Sequence, residues 1–256
     1  MIPGLDSDRI GMRLGHRCHD VTLAGRPGFL MEPSHPRPGQ PWVWKAEFPD
    51  TWTEADRALV DAGFHLAHLV VGNTFGSPPA LALWDRFYAA LVAAGLSSRP
   101  VLFAISRGGL YAYRWAADHP QAVAGIVADN PVCDFRSWPG GRDGGPGSPW
   151  DWSLLLQCYD FADEAEALAY PGQPIDRLAP LAAARIPLLH RVGDADEIVP
   201  VASNTQKLAD RYRALGGCIE VLTTPGGLHH PHGLPDPAPI VEFCCRATDS
   251  ARTTSP

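Results

Sequence analysis

Ser106 lies in the run Val101-Leu102-Phe103-Ala104-Ile105-Ser106-Arg107-Gly108-Gly109. An apolar strand-like stretch leads into the serine, and a helix-like stretch from Leu110 to Ala117 leaves it. A strand that turns sharply into a helix with serine at the apex exposes the hydroxyl, and small neighbours are needed where strand and helix crowd. The pattern for such a turn is G-x-S-x-G; Ala104 takes the first glycine's place and Gly108 keeps the second. A serine hydroxyl is a weak nucleophile near neutral pH, so it needs a base to take its proton and a carboxylate to orient that base.

Both partners follow in chain order. The acid lies after the strand-like Ile186–Val192, in Gly193-Asp194-Ala195-Asp196-Glu197-Ile198-Val199-Pro200. Asp194, Asp196 and Glu197 are the candidates there, with Asp134 as an outside alternative. The base lies after the strand-like Cys218–Thr223, in Gly226-Gly227-Leu228-His229-His230-Pro231-His232. Its offset from the strand favours His229, with His230 and His232 as rivals. Three histidines so close also invite a metal reading. A proline between His230 and His232 forbids the helical spacing of zinc hydrolases, and no cysteine or carboxylate sits at ligand spacing, so no metal is expected.

The oxyanion of an acyl-transfer step needs backbone donors. One is expected from Arg107, after the nucleophile; the other from Ala46 or Glu47, in the turn after Trp42-Val43-Trp44. Lys45 and Glu47 are unusual charges there, readable either as an ion pair closing the turn or as substrate recognition. Candidate substrate-binding residues are Trp44, Lys45, Asp134, Trp138 and His230.

The elements that must position these residues alternate along the chain. Strands are expected at 41–47, 64–71, 101–105, 123–129, 186–192 and 218–223, and helices at 53–62, 79–94, 109–118, 201–215 and 239–246. Thr53 with Asp56 and Thr51 with Glu54 look like helix caps, and Gly63, Gly95 and Gly216 like helix stops. Such alternation implies a mostly parallel sheet covered on both faces. Residues 17–32 read as an antiparallel hairpin ahead of it. Residues 134–185, rich in glycine, proline and tryptophan, break the alternation. A long insertion of this kind in a compact domain is usually a lid or binding loop. It reads as a cap with short helices near 153–157 and 163–169, inside a single domain spanning 1–256.

Ser106, Asp196 and His229 with their flanks resemble the α/β-hydrolase superfamily over residues 17–243. Trp44-Lys45-Ala46-Glu47-Phe48, Ser106-Arg107-Gly108-Gly109, Asp129-Asn130-Pro131-Val132-Cys133-Asp134 and His229-His230-Pro231-His232 resemble a group of small bacterial hydrolases and esterases. The resemblance implies the α/β-hydrolase fold, a mostly parallel central sheet flanked by helices with a short cap insertion. It also implies a Ser106–Asp196–His229 triad working through an acyl-serine, with no cofactor. The leading expectation is hydrolysis of a carboxylic ester that is polar, sugar-derived or aromatic. The cap aromatics Trp138, Trp150, Trp152, Tyr159, Phe161 and Tyr170 suit a flat ligand or pack the cap down; Lys45, Glu47, Arg107 and Arg136 would add polar recognition. The same triad also serves amidases, C–C hydrolases and acyltransferases. A non-catalytic receptor using the pocket is a reading from another class.

Composition bounds the rest. The 256 residues are 45% hydrophobic and 19% charged, an ordinary globular balance. A net charge of -7 offers no basic surface for nucleic acid. No apolar run reaches membrane-spanning length, and the N-terminus has neither the basic region nor the apolar core of a secretory signal. The six cysteines fit neither a zinc ribbon nor a redox motif. A cytoplasmic monomer or homodimer acting on a small molecule is the expectation, with neither nucleic acid nor membrane as partner.

Overall fold

The computed structural model describes residues 9–253. Among them nine strands form one sheet in the order β1-β2-β3-β5-β4-β6-β7-β8-β9. The antiparallel edge consists of β1 (Arg9–Arg13), β2 (His16–Leu23) and β3 (Arg26–Glu32). β3 joins β5 (His65–Leu69) antiparallel. From β5 the sheet is parallel through β4 (Trp42–Lys45), β6 (Val101–Ile105), β7 (Gly125–Asp129), β8 (Leu188–Gly193) and β9 (Ile219–Thr224).

The hairpins close by two-residue loops with both φ angles positive: Leu14-Gly15 at 53° and 89°, Ala24-Gly25 at 51° and 74°. Such turns match the right-handed twist of the strands they join. The second hairpin spans the residues expected from sequence. β1 is additional; its signal was Leu14-Gly15, a turn pair between two short runs that lack a clean apolar alternation.

Period-two alternation in the buried strands sends side chains to two cores. Leu102, Ala104, Ile126, Ala128 and Leu188 pack with α2 (Pro78–Ala93) and α3 (Gly108–Asp118). Val101, Phe103, Ile105, Val127 and Leu189 pack on the other face with α1 (Thr53–Asp61) and Ile240, Phe243 and Cys244 of the C-terminal helix. Every residue of β4 to β8 is buried, as expected for parallel strands covered on both sides.

The expected caps of α1 do not form. Its N-cap is Trp52, with no side-chain cap bond, because Asp56 turns inward to the Lys45 ammonium beneath the helix. Gly63, Gly95 and Gly216 do end helices, at φ 91°, 97° and 79°.

Residues 134–185 hold α4 (Pro149–Tyr159), α5 (Glu164–Ala169) and α6 (Ala179–Ala183). Their ring cluster is centred on buried Phe135, with Tyr170 stacked at 5.8 Å and Tyr159 edge-on at 5.4 Å. Arg114 of α3 donates to the Tyr159 and Tyr170 hydroxyls at 2.6 and 2.7 Å and to the Gly76 carbonyl. The segment is thus fastened to the body through its aromatic residues. α7 (Lys207–Ala214) and α8 (Ala238–Thr253) complete the fold.

Candidate active site

Ser106 sits between β6 and α3 with φ at 50°. The left-handed backbone is costly for a non-glycine residue and persists only where its surroundings hold it. Here the Ser106 N–H donates to the Asp129 carbonyl at 2.9 Å, and the Ser106 carbonyl accepts from Val132 N–H at 2.8 Å. Small residues are needed mostly behind the serine. A Cβ at Gly109 would lie 2.4 Å from the Val132 carbonyl oxygen, whereas at Gly108 its nearest neighbours would be the Ala46 and Glu47 side chains at 3.4 and 3.5 Å.

His229 Nε2 lies 3.0 Å from Ser106 Oγ. His229 Nδ1 lies 2.6 Å from Asp196 Oδ2, and both side chains are almost fully buried. A carboxylate only accepts, so Nδ1 carries the proton and Nε2 is left as acceptor for the serine hydroxyl. The second Asp196 oxygen accepts from the Ile198 and Val199 amides at 2.9 and 2.8 Å. The rivals do other work: Asp194 is exposed and accepts from the Gly226 amide at 2.6 Å, and Glu197 is exposed.

The loops carrying Asp196 and His229 meet main chain to main chain. A Cβ at Gly193 would lie 2.3 Å from the Gly227 carbonyl oxygen, and the Ala195 amide donates to that carbonyl at 2.9 Å. Asn130, at the end of β7, clamps the pair. Its amide nitrogen donates to the Leu228 and His229 carbonyls at 3.2 and 3.0 Å, and its oxygen accepts from Gly193 N–H at 2.8 Å. Sequence reading assigned Asn130 no role. Its signal was its place directly after β7, at the sheet's carboxyl edge, where ligand sites of open α/β sheets lie.

A second carboxylate–imidazole pair stands beside the first. His232 Nδ1 lies 2.6 Å from Asp129 Oδ1, and the Gly233 amide donates to Asp129 Oδ2 at 2.9 Å. Arg191 lies 3.6 Å from Asp129. The rings of His229, His230 and His232 have centroids 4.7 to 4.9 Å apart and are nearly perpendicular. Burial, then the neighbouring imidazoles, push His230 below the ordinary histidine pKa.

Of the expected oxyanion donors, Ala46 drops out, because its N–H is spent on the Phe103 carbonyl at 2.9 Å. The Glu47 amide makes no hydrogen bond among the described residues. Arg107 caps the open N-terminus of α3, where backbone N–H groups lack intrahelical partners. The two residues are joined through their side chains: Arg107 Nε lies 2.5 Å from Glu47 Oε2. Burial raises the Glu47 pKa, and Arg107 opposes that rise. The turn's two charges therefore face apart, Glu47 toward the serine's neighbour and Lys45 into the core.

A cleft of about 510 Å³ opens over the serine, lined by Phe48, Trp52, Ser106, Arg107, Trp138, Ile198 and the three histidines. Trp138 and His230 line it as expected. Other expectations fail on burial. Trp44 is fully buried and stacks on Trp84 at 4.2 Å. Lys45 is fully buried, donating to Asp56 and to the Thr51 carbonyl at 2.6 Å; burial lowers its pKa while Asp56 opposes the shift. Asp134 is buried under Arg136, at 2.7 Å, and Arg136 also reaches Asp176. Neither Asp134 nor Arg136 lines the cleft. Of the cap aromatics only Trp138 does; Tyr159, Phe161 and Tyr170 are packing, and Trp150 points to solvent. A larger hollow of about 820 Å³ at the hairpin edge, lined by Met12, His16, Glu32 and His65 among others, shares no residue with this cleft.

No family model and no curated protein matches the sequence. Solved structures do match its architecture. A puromycin-hydrolyzing peptidase of Mycobacterium tuberculosis superposes with a TM-score of 0.67 at 14% identity, over 91% of this chain and 39% of the peptidase. Carboxyl esterase 2 of the fungus Tuber melanosporum gives 0.64 at 13% identity, over 97% of this chain and 90% of the esterase. This is the α/β-hydrolase fold. Dipeptidyl peptidase 4 of Porphyromonas gingivalis shares it, with a TM-score of 0.64 at 13% identity over 92% of this chain and 35% of the peptidase. The chain thus spans little more than a third of either peptidase. Ser106, Asp196 and His229 follow β6, β8 and β9, all at the carboxyl edge of the sheet. No helix among the described residues is long and apolar enough to cross a membrane.

Proposed function

We propose that the protein is a serine hydrolase of the carboxylesterase type. The observation that carries the reading is the continuous relay from Ser106 Oγ through His229 to Asp196, at 3.0 and 2.6 Å, opening on a cleft. In the proposed reaction His229 Nε2 takes the serine proton as Oγ bonds to the ester carbonyl carbon. The carbonyl oxygen becomes an oxyanion facing the Arg107 and Glu47 amides. Collapse breaks the bond to the alcohol oxygen, which takes the proton from His229. A water then repeats the sequence on the acyl-serine, giving up its proton to His229 and releasing the carboxylic acid as Ser106 regains its hydrogen. Asp196 keeps the imidazole in the tautomer with Nε2 free and stabilises the imidazolium.

The segment 134–185 is proposed to act as a cap through Trp138 alone, the rest being its mount. Phe48, Trp52 and Trp138 offer flat apolar walls, and the exposed His230 edge offers polar contact; this supports an ester with a planar or sugar-like face over a flexible lipid. Cytoplasmic location and a monomer or homodimer belong to the same proposal.

A fluorophosphonate probe should label the wild-type chain once, at Ser106, and p-nitrophenyl acetate should be hydrolysed. Ser106→Ala should remove the label and lower kcat by about 10³-fold or more without changing the fold. Labelling without turnover of any ester, alongside turnover of aminoacyl anilides, would move the assignment to amide bonds. Undiminished turnover by Ser106→Ala would end it.

A further inference from the structure

The three histidines of the base loop are more than one catalytic group with two bystanders. One ligating nitrogen of each lies within 4.8 Å of those of the others. The nitrogens available are set by hydrogen bonding. His229 and His232 both commit Nδ1 to a buried carboxylate, at 2.6 Å to Asp196 and 2.6 Å to Asp129. Each therefore presents Nε2 toward the cleft. His230, exposed at the rim, has no hydrogen-bonded partner to displace among the described residues and can turn either ring nitrogen inward.

An imidazole that donates one N–H to a carboxylate and offers its other nitrogen is the form in which histidine usually binds transition metals. The carboxylate fixes the ring and raises its basicity. Here two of three converging imidazoles are already braced in this way. Sequence spacing argued against a metal because Pro231 precludes a helix. The turn that replaces the helix gathers the rings instead, and the supporting carboxylates come from β7 and from the loop after β8, far away in sequence.

We propose that His229, His230 and His232 form a binding site for a divalent transition metal of the zinc type, and that its occupation switches the serine off. Tetrahedral zinc with nitrogen ligands at 2.0–2.1 Å needs those nitrogens about 3.3 Å apart. The cluster must close by up to about 1.5 Å, from 4.8 Å, which rotation of His230 at the rim supplies most readily. A fourth position would be left to water or solvent hydroxide. The ion and the Ser106 proton compete for one atom, His229 Nε2. Zinc bound there leaves the serine hydroxyl without its base, whichever bond the enzyme cleaves.

Binding can be read without substrate, so the test does not depend on the proposed reaction. Calorimetric titration of the whole chain with Zn²⁺ should show one ion per chain. Co²⁺ as substitute should give the visible d–d bands of a low-coordinate nitrogen site. His230→Ala, a change at an exposed position, should weaken Zn²⁺ by at least about tenfold and abolish the cobalt bands. Ser106→Ala should retain both. In the wild type, Zn²⁺ should block fluorophosphonate labelling of Ser106, and EDTA should restore it. The proposal falls if Zn²⁺ does not bind, if its affinity is the same in His230→Ala, or if labelling of Ser106 proceeds at full rate with zinc bound.

Discussion

The pairs Asp196–His229 and Asp129–His232 have the same chemistry and the same 2.6 Å contact, yet only one of them faces the serine. Their carboxylates are compensated differently. Asp129 has the Arg191 guanidinium 3.6 Å away in addition to its histidine and an amide. Asp196 has two backbone amides and, among the described residues, no lysine or arginine partner. An imidazolium that forms on His229 thus finds a carboxylate whose charge is not already spent. One that forms on His232 would share Asp129 with a permanent cation. A carboxylate–histidine pair is therefore weak evidence of catalysis until its other neighbours are counted.

The comparison breaks most sharply in kinetics. His229→Ala and Asp196→Asn should each cost about 10³-fold or more in kcat, since the proposed triad would act as a unit and the amide favours the wrong tautomer. His232→Ala should cost less than about tenfold in kcat and should show instead as a lowered melting temperature, because Asp129 stays buried with one partner fewer. Equal kcat losses for His229→Ala and His232→Ala in folded protein would mean that both pairs serve the reaction.

A third kind of buried histidine sharpens the contrast, one with no carboxylate at all. His68 donates to the Lys45 carbonyl, and His190 lies between Tyr113 and Thr205. Burial pushes their pKa values down to about 4 and about 3. The unfolded chain binds protons on both below its ordinary 6.5, while the folded chain holds them neutral. Stability should therefore be full above pH 6.5 and fall as the pH drops toward 4, by about 2 kcal/mol per histidine at pH 5. A melting temperature unchanged between pH 7 and pH 5 would contradict this.

Smaller effects test how the proposed oxyanion donors are held. Glu47→Gln keeps the backbone amide but loses the ionic tie to Arg107, and should lower kcat/KM about tenfold with KM little changed. A pure KM effect would instead make Glu47 a substrate contact. Trp138→Ala should change the ratio of kcat/KM for two esters differing in acyl size by about three- to tenfold, with little change in melting temperature. Equal losses on both esters with a large fall in melting temperature would return Trp138 to the packing of the cap.

The parallel strands were legible because each is a short apolar run between turn residues, and Ser106, Asp196 and His229 because each follows such a run. The turn residues were harder to read. Lys45 and Glu47 are two positions apart and look alike as exposed charges, yet the end of β4 sends Lys45 under α1 and Glu47 against Arg107. Side-chain direction at a strand's last residue depends on where the next segment leaves, which the local sequence does not encode. Asp56 reads as a helix cap for the same reason: its partner, Lys45, comes from the end of β4. The cap aromatics were equally ambiguous, since a ring that lines a cleft and a ring that anchors a cap have the same composition. The role of Asn130 rests on three backbone groups from distant loops, of which its place after β7 gives no hint beyond nearness to the sheet's carboxyl edge.

The contact between Gly193 and Gly227 makes the Ala195 amide an instrument. Any excursion that separates Asp196 from His229 by parting their loops must also break the Ala195 N–H bond to Gly227 and the Asn130 bridge. The exchange rate of that single amide proton with solvent deuterium would then report how often the relay comes apart, as an opening free energy specific to this pair of loops. Replacing Gly193 by alanine, whose Cβ has no room against Gly227, would raise that exchange rate and lower turnover together, linking a purely main-chain spacing to chemistry on the serine.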